Sequence, residues 1–128
     1  MKEPIWIGVL ETLVLHDLVL VAFGGAAGVR DFGGLESALA RPRNRLAYGK
    51  KKPSLARLAA AYAFGMMKSH PFVDGNKRTA LVIAFAFLDV NGIEMKASEE
   101  EAYRVFMDLA SGRMSEEELG AWIRDNSE

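Results

Sequence analysis

The chain has no cysteine. Disulfide scaffolds, thiolate zinc sites and cysteine nucleophiles are therefore excluded together. Histidine is nearly as scarce, with only His16 and His70. Any imidazole chemistry rests on one of these two positions. Long apolar runs are missing as well. The longest uncharged apolar stretch, residues 80–88, is far short of the roughly 20 residues a membrane span needs. The amino-terminal stretch is apolar, but it carries Glu11, His16 and Asp17 and has no small-residue cleavage site, so it does not read as a signal peptide. Net charge is also lacking: 16 Lys and Arg stand against 17 Asp and Glu. That near-balance argues against a direct nucleic-acid partner. The expectation is a cytoplasmic protein with no membrane segment, one domain over residues 1–128 and a single core.

What charge there is lies unevenly. Arg41, Arg43, Arg45, Lys50, Lys51, Lys52 and Arg57 crowd one segment, and the carboxyl-terminal third is acidic. The basic segment reads either as a solvated loop or as an attractor of a polyanion or acidic partner.

Alternation with a period of two is not found, and helical spacing is found nearly throughout. Residues 8–23 predict an apolar helix ended by Gly24 and Gly25. A glycine-bearing loop over 28–34 leads to a short helix from 35 to about 40, stopped by Pro42, and an irregular connector over 42–53. Leu55, Leu58, Ala59, Tyr62, Ala63 and Met66 mark a helix over about 54–69. Residues 76–90 are apolar around almost the whole circumference, as in a helix buried on all sides. Ser98 with Glu101 and Ser115 with Glu118 have capping-box spacing and start two more. The fold class is all-α, with five to seven helices around a central buried one.

Between the third and fourth predicted helices lies HPFVDGNKR, residues 70–78. Pro71 biases His70 away from helical geometry, so the imidazole is expected to leave the helix. With a pKa near 6.5, an imidazole accepts a proton from an attacking hydroxyl near neutral pH. The next helix begins after Gly75. Its first N–H groups lack intrahelical partners and its dipole is positive there, a combination that binds phosphate. Lys77 and Arg78 are misplaced at that end by the dipole rule unless an anion is bound. Asp74 reads as a Mg²⁺ ligand beside phosphates, or as a plain helix cap. Asn76 reads as a cap, a phosphate ligand, or both. Phe72 is expected to anchor the loop in the core, and His16 to be structural.

At these residues the chain resembles the Fic/Doc family, whose pattern is H-x-F-x-[D/E]-G-N followed by basic residues. His70, Phe72, Asp74, Gly75, Asn76, Lys77, Arg78, Thr79 and Ala80 are similar to the Doc (death-on-curing) branch. So are Leu15-His16-Asp17, Gly28-Val29-Arg30-Asp31, LESALARP at 35–42, Phe87-Leu88 and Asn91-Gly92. The resemblance implies an all-helical fold that transfers part of a nucleoside triphosphate to a protein hydroxyl. It implies His70 as general base, Asp74 as Mg²⁺ ligand, and Gly75, Asn76 and Arg78, with Lys77 beside them, as the phosphate-binding loop. It also implies a target-aligning flap, here around residues 45–50 with Tyr48 as a contact. The AMP-transferring pattern has glycine where Lys77 stands and a second arginine where Leu81 stands. In Doc-type proteins these changes go with an inverted nucleotide and phosphate transfer. Gly75 keeps the Fic residue. The silencing spacing S/T-x-x-x-E is not found, so the resemblance implies control by a separate antitoxin. The expectation is a toxin using ATP and Mg²⁺ to phosphorylate a Ser or Thr of a cytoplasmic protein, by family precedent a translation elongation factor. AMP transfer and a non-catalytic helical binding module are the alternatives.

Overall fold

The computed structural model describes residues 3–128. Its described residues form six helices: α1 Val9–Phe23, α2 Phe32–Tyr48, α3 Leu55–Ser69, α4 Asn76–Val90, α5 Glu99–Ala110 and α6 Glu116–Asp125. Among the described residues there is no strand, only two isolated antiparallel bridges, Val29 with Phe72 and Met95 with Ser127.

Serine starts three of the helices. The Ser54, Ser98 and Ser115 side chains accept the backbone N–H of Arg57, Glu101 and Glu118 respectively. Only Ser115 completes the reciprocal box, with Glu118 Oε1 accepting from the Ser115 N–H at 2.8 Å. At Ser98 the glutamate does not return.

α3 and α4 share the centre. α4 is buried from Asn76 to Leu88 on most of its surface, as its apolar composition predicts. α3 is more enclosed still, packing against α2, α4, α5 and α6. Its small residues make this possible: Ala59, Ala60, Ala61 and Ala63 are fully buried and let four neighbours come close. At Gly65 a Cβ would stand 3.0 Å from both the Cα and the carbonyl oxygen of Ala38, so this glycine sets the α2–α3 approach. α1 lies outside, against α4 and α2.

α2 departs from expectation. It begins at Phe32 rather than Leu35, because Asp31 caps it by accepting the Gly34 N–H at 2.9 Å. It then runs through Pro42 to Tyr48. An interior proline removes one ladder bond, here to Ala38, and costs roughly 3 kcal/mol. Tertiary contacts override that local rule. Leu35, Ala38, Leu39 and Pro42 itself are buried, and arginines on both sides of the proline are held by another helix. Arg41 and Arg45 donate to Glu116 of α6 at 2.7 and 3.0 Å, and Arg57 of α3 joins them.

This cluster also corrects the reading of the basic segment. Arg41, Arg45 and Arg57 are neither a solvated loop nor a free polyanion surface; they converge on one carboxylate that is 6 % exposed. Burial alone would raise the Glu116 carboxyl, but the three guanidiniums outweigh it and hold it below the ordinary carboxylate value. Arg43 lies over the Trp6 ring at 5.0 Å. Lys50, Lys51 and Lys52 are exposed in the turn after α2.

Candidate active site

The chain leaves α3 by an uncommon backbone step. His70 adopts φ 46°, ψ 57°, the one left-handed non-glycine residue among those described. Pro71 disfavours the helical alternative, and histidine is among the residues that tolerate this region. The His70 N–H still bonds the Met66 carbonyl at 3.2 Å. The imidazole is thereby turned out of the helix and exposed, as expected from the following proline. Arg30 fixes this turn from outside, donating from Nε to the His70 carbonyl at 2.9 Å and from Nη2 to the Ser69 and His70 carbonyls.

The loop behind the turn is bound to a second loop, residues 24–31. The Arg30 and Asp31 N–H groups donate to the Pro71 carbonyl at 2.7 and 3.0 Å, and the Val73 N–H donates to Gly28 at 3.0 Å. Phe72 is 1 % exposed and is held three ways. Its N–H donates to Asn76 Oδ1 and its carbonyl accepts from Asn76 Nδ2, both at 2.9 Å. Its ring stacks on His16 with centroids 3.7 Å apart and planes 7° apart. The Nε2–H of His16 donates to the Asp74 carbonyl at 2.8 Å. Phe72 is the anchor the sequence predicts, and buried His16 is structural. The Asn76 amide exchanges two hydrogen bonds with the Phe72 backbone, so its side chain does not cap α4; its second Nδ2 hydrogen and its backbone N–H remain for a ligand.

Asp74 is exposed. Its Oδ2 accepts the Ala26 N–H at 2.8 Å, and Oδ1 takes no hydrogen bond among the described residues. It does not cap α4. The cap position is Gly75, at φ 81°, with no side-chain cap bond. The N–H groups of Asn76, Lys77 and Arg78 therefore begin α4 uncapped, while the Thr79 N–H bonds Gly75 at 2.9 Å. Gly25 lets the second loop approach: a Cβ there would meet the Asp74 Cβ at 3.1 Å.

One cleft of about 400 Å³ gathers His70, Asp74, Gly75, Asn76, Lys77 and Arg78. Phe23 and Tyr103 line it too. Leu81, one turn further, is 2 % exposed and belongs to the core. Tyr48 is not brought to this cleft. It is 83 % exposed at the end of α2 and lines another cavity with Arg41, Asn44 and Arg45. No group of three acidic or histidine ligands exists among the described residues. A hard cation here would have one protein carboxylate, Asp74, and would complete its shell with phosphate oxygens and water, the usual arrangement for Mg²⁺. The residues fit that ion.

Sequence reasoning missed Ala26, Phe23 and Tyr103, and marked Arg30 only as part of the resemblance at residues 28–31, with no role. Each reaches the site across the fold, which no local pattern shows.

The Fic/DOC family profile matches residues 6–88, a span that holds α1 to α4 up to Leu88 and the whole motif loop. The chain belongs to the Fic/DOC family. It is 33% identical to the protein named Protein kinase doc of Escherichia phage P1, over 89% of each chain. It is 43% identical over 77 residues to the protein named Toxin Doc of Mycolicibacterium smegmatis, a match spanning 60% of this chain and 59% of that one. No helix among the described residues is long and apolar enough to cross a membrane.

Proposed function

We propose that this protein is a Doc-like toxin that transfers the γ-phosphoryl group of ATP to a Ser or Thr hydroxyl of a cytoplasmic protein, with a translation elongation factor as the expected target. The observation that carries this reading is the cleft at the start of α4, where an outward imidazole, one carboxylate and uncapped N–H groups meet. The names of the two relatives support it.

His70 accepts the proton of the target hydroxyl as its oxygen attacks the γ-phosphorus, and ADP leaves. The α4 N–H groups, Lys77 and Arg78 stabilise the charge on the phosphate oxygens, which is most of what phosphoryl transfer asks of a protein. Mg²⁺, when bound, would neutralise charge across the phosphates, and Asp74 Oδ1 is the oxygen that would hold it. The Asp74–Ala26 bond fixes the direction of that carboxylate.

Transfer of AMP is the second reading. Lys77 fills space that the AMP orientation leaves to a phosphate, and buried Leu81 offers it no cation. A non-catalytic dock is a third reading, and it leaves the outward His70 without a task. The likeness to the protein named Toxin Doc supports control by an antitoxin chain. Incubating protein and lysate with ATP labelled at the α or the γ phosphate tests the reaction. Transfer of γ label to one protein band is expected, and label arriving only from the α position would overturn phosphotransfer. Growth arrest that survives His70→Ala would favour the dock.

A further inference from the structure

Arg78 differs from the other arginines in what covers it. Its guanidinium carbon lies 4.1 Å from the centroid of the Phe23 ring and 4.0 Å from that of Tyr103. Phe23 is the last residue of α1, and Tyr103 belongs to α5. Two rings from two different helices thus meet at this one cation. The five N–H donors of a guanidinium lie in its plane. Aromatic contact of this kind leaves the in-plane donors free to bond elsewhere. None of them has a hydrogen bond or ion-pair partner among the described residues.

Two further observations give this contact a purpose. Phe23 is 58 % exposed, so packing in the core does not explain a phenyl ring there. Beyond the rings, a second cavity of about 380 Å³ is lined by Arg78 together with Glu99 and Glu100. An arginine free to swing would pair with those carboxylates and lose its charge to them. The rings bear on that choice, since all three residues line both cavities.

We propose that Phe23 and Tyr103 are positioning residues that clamp the Arg78 guanidinium with its donor edge toward the polyphosphate in the motif cleft. This rests on the reading that the cleft takes a polyphosphate. Tyr103 lies outside the segment matched by the family profile.

The test is calorimetric titration of the full chain with tripolyphosphate alone, which needs no catalysis. Phe23→Leu and Tyr103→Leu should each weaken binding about three- to tenfold, the range of a partly desolvated cation–π contact. Tyr103→Phe keeps the ring and should stay within about twofold. In an Arg78→Ala background, Phe23→Leu should have no further effect, and Arg78→Lys should be less sensitive to it, because an ammonium has no plane to orient. Phe23 is exposed, so its variant tests the clamp even where Tyr103→Leu upsets folding in a melting curve. The clamp is overturned if Phe23→Leu leaves affinity unchanged, if it weakens binding equally with and without Arg78, or if tripolyphosphate binding does not depend on Arg78. Binding that depends on Arg78 without γ-label transfer would remove the kinase reading and leave the clamp standing.

Discussion

Arg41, Arg45 and Arg57 turn inward onto Glu116, whereas Lys77 and Arg78 stand at the start of α4 with no carboxylate in ion-pair contact among the described residues. Both groups gather positive charge in a small volume. The first satisfies a buried anion supplied by the chain, tying α2 and α3 to α6. The second sits beside uncapped N–H groups at a positive dipole end, an arrangement that costs stability until an anion arrives. A cation cluster that carries its own counter-ion is a structural joint. One that lacks it is where the proposed polyphosphate would supply the counter-ion.

The comparison can be broken from either side. The largest effect is expected at His70, which lines the same cleft as the second group. His70→Ala should lower label transfer at least about a hundredfold and leave the melting temperature unchanged, since the imidazole is exposed. A shifted melting temperature with transfer retained would make His70 structural. Glu116→Gln should do the reverse. It leaves three guanidiniums with a neutral partner and should cost about 2 kcal/mol in urea unfolding. That is below the roughly 3–5 of a fully buried pair, because the arginines are partly exposed. Tripolyphosphate affinity should not change.

Lys77→Gly removes one charged donor and should lower γ-label transfer about tenfold, with no gain of α-label transfer while Leu81 remains buried. Appearance of α label would show that Lys77 alone sets the orientation. The smallest effect is in pH. The Glu116 carboxyl is held below its ordinary value of 4.5, so the folded state binds this proton less readily than the unfolded one. Its contribution is complete above 4.5 and is lost as the pH falls through the lowered value. The difference in melting temperature between wild type and Glu116→Gln should therefore narrow as the pH drops below 4.5, and a difference that widens would overturn the sign.

The motif loop was legible because its chemistry is contiguous. A proline after His70 and a glycine before α4 each act on their neighbours, and these two local rules hold in the structure. Serine starts were legible for the same reason. α2 was misread because Pro42 is a strong local signal and the forces that override it, Gly65 against Ala38 and Glu116 against two arginines, come from residues 23 and 74 positions past the proline. Asn76 was misread as a helix cap because its amide bonds the Phe72 backbone four residues earlier, and the amide alone does not say which acceptor or donor wins. Phe23, Arg78 and Tyr103 come from three helices, and no spacing rule joins them.

The pairing of residues 28–31 with 71–73 has a consequence for anyone who would transplant this chemistry. HPFVDGNKR does not hold its own shape: Arg30 closes the histidine turn, Ala26 aims the aspartate, and Val29 lies against Phe72. A graft of nine residues onto another helical scaffold would carry the letters without the grammar. The unit of inheritance is two segments, some forty residues apart, and a chimera would keep the site only when both come from the same parent.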